Sequence, residues 1–363
     1  MVEILTVIGA RPQFIKAAAV SRMIAAQSGL CERLLHTGQH FDTNMSDVFF
    51  EEMGIPAPTH HLGVAGGSHG EMTGRMLEGI EQVLLETRPD VVMVYGDTNS
   101  TVAGALAASK LHIPVAHVEA GLRSFNRRMP EELNRILTDH CSDLLFTPTS
   151  TATNNLRAEG VPFERILQVG DVMYDAARHF GALVAERDFS KLTGFDAGVP
   201  FVLATVHRQE NTDDPERLAV IIEGLAAVTD TLPVALPLHP RTRGRLQNAG
   251  LGAALERLTL LEPLGYLDMV VLEKNAALIA TDSGGVQKEA FFHGVPCVTL
   301  RDETEWVELV DAGWNRLVPP LSVNAVSSAV HEALGSKGKA VAPYGDGNAS
   351  AQIIASLVEV ASR

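Results

Sequence analysis

The chain has 363 residues, of which 46% are hydrophobic and 20% charged, and carries a formal net charge of −15. That length allows two domains with a core each, in a composition typical of globular proteins. So acidic a chain argues against nucleic acid or an anionic membrane as a partner, and any bound anion needs a local cluster of positive groups.

The opening "MVEILTVIGARP" reads as a first buried strand, being too short and too acidic for a signal peptide. Short apolar runs then alternate with helical patterns. "EILTVI", "RLLHT", "DVVMVY", "PVAHVE", "DLLFT" and "ILQVG" make a first series of strands, and "PFVLATV", "PVALPL", "LTLLEP", "ALIAT" and "PCVTL" a second. Strands separated by helix-length segments predict right-handed βαβ units and parallel sheets. Two series predict two Rossmann-like α/β domains with a cleft between them. Their expected spans are 1–170 and 171–346, with a last helix over about 347–363 returning to the first domain. No apolar run approaches the roughly 20 residues of a membrane span, so a cytoplasmic protein is expected. Cys31, Cys141 and Cys297 form no C-x-x-C pair, which indicates neither a disulfide framework nor a zinc site.

The segments that carry chemistry follow the strands. After the first comes "GARPQFIK", with Gly9, Arg11 and Lys16 and without the G-x-G-x-x-G fingerprint of a nicotinamide enzyme. The planar fork of Arg11 suits a phosphate, and would equally cap the sheet edge or pair with an acidic neighbour. "DVVMVYGDTNST" runs into Asp97 and "PVAHVEAGLRS" into Glu119, both at the strand ends where an open α/β sheet places its ligand crevice. Glu131 and Glu132 follow in "MPEELNR", where Pro130 and two acids also suit the first turn of a helix. Several carboxylates so close together suggest a site that moves protons. His60 and His61 lack partners at metal-ligand spacing and read as surface or loop, so no metal is expected. "VLATVHRQEN" sets His207 and Arg208 at another strand end, and "PLHPRTR" places His239 similarly. In "ATDSGGVQKEA", Asp282, Ser283, Gly284 and Gly285 join a strand to a helix. Such a junction is an anion site by its free N–H groups and helix dipole, or else a plain N-cap. Glu289, further along that helix, could accept bonds from ribose hydroxyls.

Together "GARPQFIK", "YGDTNST", "HVEAGLRS", "MPEELNR", "DSGGVQKEA" and the late "PYGDGNAS" resemble the non-hydrolysing UDP-N-acetylglucosamine 2-epimerases, in the family's order over nearly the whole chain. The resemblance implies the glycosyltransferase-B architecture, with two Rossmann-like domains facing a central cleft. It also implies a homodimer, a UDP-sugar substrate and no cofactor. The implied reaction removes the C2 proton and expels UDP to leave a 2-acetamidoglucal, after which UDP adds back and the proton returns to the opposite face. By the same resemblance Asp97, Glu119 and Glu132 form the acid/base set, and His207 and Arg11 contact the diphosphate. Lys16 matches a basic residue needed for activity, Ser283, Gly284 and Gly285 the phosphate site, and Glu289 the ribose contact. Arg135 and His239 join the residues that bind the UDP-sugar. Which carboxylate removes the proton and which returns it stays open. Gln39 and His40 in "TGQHFDTNM" match part of a second sugar-nucleotide site that activates ordinary bacterial members, whereas "GGSHGEMTGRM" departs from it and speaks against such activation.

Two further departures resemble a particular branch, which epimerises UDP-2,3-diacetamido-2,3-dideoxyglucuronate to the manno form. Gln13-Phe14 stands where ordinary members commonly have Glu-Ala, and "TVHRQENTDD" replaces a shorter segment. Arg127 and Arg128 in "LRSFNRRMPEE" are candidates to pair with the C6 carboxylate of a uronic acid, or else are solvated loop residues. The competing readings are a glycosyltransferase of the same architecture, a hydrolysing 2-epimerase releasing UDP and N-acetylmannosamine, and a non-catalytic sensor. Polysaccharide or lipopolysaccharide precursor synthesis is the expected setting.

Overall fold

In β1 (Val2–Ile8) every residue from Ile4 onward is buried, which a strand must be when both faces of its sheet are covered. The computed structural model to which this strand belongs describes residues 1–39, 50, 52–238 and 240–361. It divides into two units: Met1–Ala176 together with the segment from Ala342, and Ala177–Val341.

The first unit holds a seven-stranded sheet in the order β3-β2-β1-β4-β5-β6-β7, with every pairing parallel. After β1 its strands are β2 (Leu30–His36), β3 (His60–His61), β4 (Val91–Tyr95), β5 (Val115–Val118), β6 (Leu144–Thr147) and β7 (Ile166–Gln168). The second unit holds a six-stranded parallel sheet in the order β10-β9-β8-β11-β12-β13. Its strands are β8 (Val202–Thr205), β9 (Val234–Pro237), β10 (Thr259–Leu261), β11 (Leu278–Thr281), β12 (Cys297–Thr299) and β13 (Asn315–Leu317). In each sheet the chain works outward from its first strand, then returns to that strand's other side. The reversal lies between β1 and β4 in one sheet and between β8 and β11 in the other. Such switch points leave a crevice outside the carboxyl ends of the strands.

The expected class, two Rossmann-like α/β units of the glycosyltransferase-B type, is therefore the one observed. Two strands differ from the expectation. His60 and His61 are not plain loop but the edge strand β3, paired with Leu35 and His36, and Asn315–Leu317 adds the edge strand β13 beside β12. Two or three residues carry no readable periodicity, so only pairing with a formed neighbour reveals them.

In the first core Val92 and Val94 of β4 pack with Ile80 and Leu84 of the helix His69–Thr87 and Ala103 and Ala107 of the helix Asn99–Lys110. In the second, Ala204 and Leu278 pack with Ile221 and Leu225 of the helix Pro215–Val228 and Val326 and Val330 of the helix Val323–Ala333. Truncating a fully buried member such as Ile80 to alanine costs about 2–5 kcal/mol. The last helix, Ala349–Ala361, lies against the helix Arg11–Ala26, and Asp175 accepts its Ala349 and Ser350 N–H groups at 3.1 and 2.7 Å. Among the described residues, no helix is long and apolar enough to cross a membrane, and no cluster of His, Cys, Asp and Glu is placed to hold a metal ion.

Candidate active site

At the β1–β4 switch point the chain approaches itself too closely for side chains. A Cβ on Gly9 would overlap Thr37 Oγ1 and Ser100 Oγ. Gln13, in the first turn of the next helix, accepts from Gly9 N and Ala10 N at 2.8 and 3.0 Å and donates to Tyr95 O and Thr101 Oγ1 at 3.0 Å each. A glutamate there would face the Tyr95 carbonyl acceptor to acceptor. Gln13 is thus accounted for by this scaffold alone.

Lys16, one turn further along that helix, forms a buried ion pair with Glu119 at the end of β5. Gly96 at the end of β4 makes room for the pair. Its φ is +65°, and a Cβ there would lie 3.0 Å from Lys16 Nζ and 3.3 Å from Glu119 Oε2. Glu119 itself has φ +72°, a conformation disfavoured outside glycine and concentrated at functional sites.

Asp97 and Glu132 are brought together by Arg135. The guanidinium donates to Asp97 Oδ2 through Nε and Nη2 at 3.0 and 2.7 Å, and to Glu132 Oε2 through Nη1 at 2.8 Å. Arg135 therefore braces two carboxylates. Glu132, behind Pro130 in the first turn of the helix Pro130–Cys141, also accepts Ser124 N and Phe125 N at 2.9 Å each and Ser124 Oγ at 3.2 Å. Glu132 thus accepts four hydrogen bonds, three on Oε2 and one on Oε1. It clasps a turn in which Phe125 has φ +59° and a side chain 77% exposed. Asp97 keeps a side-chain exposure of 30%, open to a ligand.

Sequence reasoning missed a second layer of charge. His117 in β5 and Asp139 are both fully buried and bonded to each other, and Asp139 is also paired with Arg123. Glu132, Arg135 and Asp139 stand at i, i+3 and i+7 of one helix, a one-face periodicity that the sequence does display. Gln39 Oε1 accepts Ser100 N and Oγ at 3.2 and 2.9 Å, at the start of the helix Asn99–Lys110. Arg127 and Arg128 are exposed on the turn before Pro130, and among the described residues no carboxylate pairs with either. His40 and His239 lie outside the described residues, as does the side chain of Arg11.

At the β8–β11 switch point the organising residue is Asp282. Buried at the end of β11, it accepts His207 N at 3.1 Å, Arg208 N at 3.0 Å and Asn211 Nδ2 at 3.0 Å. His207 Nδ1 lies 3.4 Å from Asp282 Oδ1 and its side chain is 63% exposed. Ser283 caps the helix Gly284–Phe292, its Oγ accepting Val286 N at 3.5 Å. Gly284 and Gly285 form the first turn, and a Cβ on Gly284 would stand 3.8 Å from Arg208 Nη2. A guanidinium beside free N–H groups at the positive end of a helix is a place for an anion. On the same helix Lys288 lies 4.0 Å over the Trp306 ring, and Glu289 is buried near Tyr266 and Glu273. Burial, and then the charge of Glu289, push the Glu273 carboxyl well above the usual carboxylate range.

Two such parallel units, with carboxylates at one switch point and an anion cradle at the other, are the layout of a nucleotide-sugar enzyme of the glycosyltransferase-B class. A sequence model described as UDP-N-acetylglucosamine 2-epimerase matches residues 22–358, and the chain belongs to that family. It is 54% identical over 367 aligned residues to the UDP-2,3-diacetamido-2,3-dideoxy-D-glucuronate 2-epimerase of Pseudomonas aeruginosa, covering 99% of this chain and 100% of the relative. The crystal structure of Methanocaldococcus jannaschii UDP-GlcNAc 2-epimerase in complex with UDP-GlcNAc and UDP matches with a TM-score of 0.90 at 42% identity, over 99% of both chains. That of UDP-GlcNAc 2-epimerase from Neisseria meningitidis bound to UDP-GlcNAc matches with a TM-score of 0.87 at 31% identity, over 98% of this chain and 100% of the other.

Proposed function

We propose that this isomerase inverts C2 of a UDP-2-acetamido sugar, and that its preferred sugar is 2,3-diacetamido-2,3-dideoxyglucuronate. The observation that carries the reaction is the Lys16–Glu119 pair next to a partly exposed Asp97, two carboxylates on adjacent strand ends. One carboxylate takes the C2 proton. The C2–H electron pair becomes the C1=C2 bond of a 2-acetamidoglucal, and the C1–O pair leaves with UDP. UDP oxygen then adds back to C1 while a carboxylate returns a proton to the opposite face of C2. Nothing is oxidised overall. A C2 hydrogen is weakly acidic and needs a placed base, and a departing diphosphate needs concentrated positive charge. The first role falls to Asp97 and Glu119. The second falls to His207, Arg208 and the start of the helix Gly284–Phe292, with Glu289 on the ribose. The four hydrogen bonds Glu132 accepts favour holding the 124–125 turn over carrying the proton.

The choice of sugar is supported by the extent of likeness to the Pseudomonas relative and by Arg127 and Arg128. A uronate carboxylate next to Asp97 and Glu119 would be repelled at short range unless a cation accompanied it. The same reading has the enzyme act in the cytoplasm as a homodimer, in polysaccharide or lipopolysaccharide precursor synthesis.

The test is turnover of each UDP-sugar in heavy water, followed by proton NMR without added NAD or metal. We expect deuterium at C2, sugar still joined to UDP, and a higher kcat/KM for the uronate that falls in Arg127→Ala or Arg128→Ala. Product that keeps its C2 hydrogen would remove the elimination route. Net release of UDP would point to the hydrolysing or transferase reading. A preference for the neutral sugar, indifferent to both substitutions, would remove the uronate.

A further inference from the structure

Behind the proposed proton-transfer carboxylates lie three buried charged or polar side chains, His117, Arg123 and Asp139, with the exposed Glu159 at their outer end. His117 Nδ1 is 2.7 Å from Asp139 Oδ1, and Nε2 is 2.8 Å from the carbonyl oxygen of Gly96. Asp139 also accepts Arg123 Nη1 at 2.7 Å and Gly121 N at 3.1 Å. Arg123 turns its Nε and Nη2 to Glu159, both at 2.7 Å. Burial alone would raise the Asp139 carboxyl, but the bond and charge of His117 and the charge of Arg123 hold it below its ordinary value. It is therefore an acceptor only. The Gly96 carbonyl is an acceptor as well, so both ring nitrogens of His117 face acceptors.

The ends of this network are informative. Gly96, whose carbonyl His117 holds, immediately precedes Asp97, and Gly121, whose N–H Asp139 holds, lies two residues beyond Glu119. Glu119 adopts φ +72°, a conformation its own preferences would not maintain, and Gly96 supplies the φ of +65° that the turn before Asp97 takes.

We propose that His117, through Asp139, is a positioning residue that fixes Asp97 and Glu119 as a pair for proton transfer at C2. This rests on the acid/base role assigned to those carboxylates above. The ring touches no reacting atom and acts by holding the two strand ends in register. A carboxylate displaced by about 1 Å can lose a hundredfold in rate.

Three measurements test it: deuterium exchange at C2, UDP affinity and the thermal midpoint, each on wild type, His117→Ala and His117→Gln. Exchange in wild type comes first, and if it is absent the epimerase reading itself falls. Given exchange, His117→Ala is expected to lower its kcat by about a hundredfold with KM and UDP affinity little changed. His117→Gln, whose amide still donates to the Gly96 carbonyl, should recover at least about tenfold of that loss. A merely structural His117 would lower the thermal midpoint in both variants and leave kcat of the folded enzyme untouched, which would overturn the proposal. Should His117→Ala not fold, His117→Gln and His117→Asn carry the test: a lowered kcat with UDP affinity unchanged supports the proposal, and wild-type kcat in the folded variants overturns it.

Discussion

The ammonium of Lys16 and the carboxylate of Glu119 meet as a buried ion pair, one carried by the helix after β1 and the other by the end of β5. An isolated charge at either position would be costly, because nothing in a desolvated setting replaces water except the partner. The pair therefore has two roles: it lets a carboxylate stay ionised among apolar strands, and it orients that carboxylate.

Removing one partner separates these roles. Lys16→Met takes the ammonium away from the buried Glu119, and we expect a loss of about 3–5 kcal/mol of stability. Glu119→Gln keeps size and hydrogen bonding but cannot exchange a proton. We expect it, like Asp97→Asn, to lower C2 deuterium exchange by about 10²–10⁴-fold while UDP still binds. Glu132→Gln should act chiefly through KM, by loosening the 124–125 turn. If Glu132→Gln abolished exchange and Asp97→Asn did not, the roles given to the two acids would be reversed.

Gly96→Ala tests the space beneath the pair. Its φ of +65° and the 3.0 Å approach of Lys16 Nζ leave a methyl group only by displacement of the ammonium. Left-handed backbone at a non-glycine residue costs about 1–2 kcal/mol. Both the thermal midpoint and exchange at C2 should fall. An alanine variant with normal exchange would show that the Lys16–Glu119 geometry has slack.

Asp282→Ala would remove the acceptor of the His207 and Arg208 N–H groups and one of the two acceptors of the buried Asn211 amide, which keeps the Leu300 carbonyl. Each buried donor left unmatched costs about 1–3 kcal/mol. The variant should unfold at lower temperature and bind UDP more weakly by calorimetry, because the 207–208 turn loses its anchor. Unchanged UDP affinity in a folded variant would separate His207 and Arg208 from diphosphate binding.

Glu273 makes stability fall as pH rises above the ordinary carboxylate range. Its raised value means that the folded chain keeps a proton which the unfolded chain, with the ordinary value of 4.5, has released. The stabilising contribution is present below that value and is lost as pH rises through the raised one. The slope is at most about 1.4 kcal/mol per pH unit for one proton. Glu273→Gln removes the exchangeable proton, so its unfolding midpoint should fall less than that of wild type as pH rises from 4.5 through the raised value. Parallel curves for the two proteins would show that Glu273 is ionised in the fold.

Eleven of the strands were legible as apolar runs, because a strand covered on both faces must be apolar almost throughout. The two edge strands β3 and β13 were not, since their short segments depend on a formed neighbour. Within the candidate site, Asp97, Glu119, His207 and Ser283 were legible because each follows a recognisable strand, and strand ends bear ligands in such sheets. Their partners were harder to see. Asp282 read as part of an anion site or as a helix cap, whereas it anchors the 207–211 turn, which is 71–75 residues away in sequence. Gln13 read as a marker of substrate, whereas its four hydrogen bonds join β1 to β4 and explain it without one.

The sequence by itself determined the α/β class, the run of strands and the residue types at their ends, because periodicity and strand-end position are local properties. Only the tertiary structure decided that Lys16 neutralises Glu119, that Arg135 joins Asp97 to Glu132, and that His117 and Asp139 tie Gly96 to Gly121. These contacts join positions 3 to 103 residues apart, and burial is what makes such pairs binding on one another. A buried charge needs an opposite charge or a donor within reach, and which residues come within reach is settled by strand order and register.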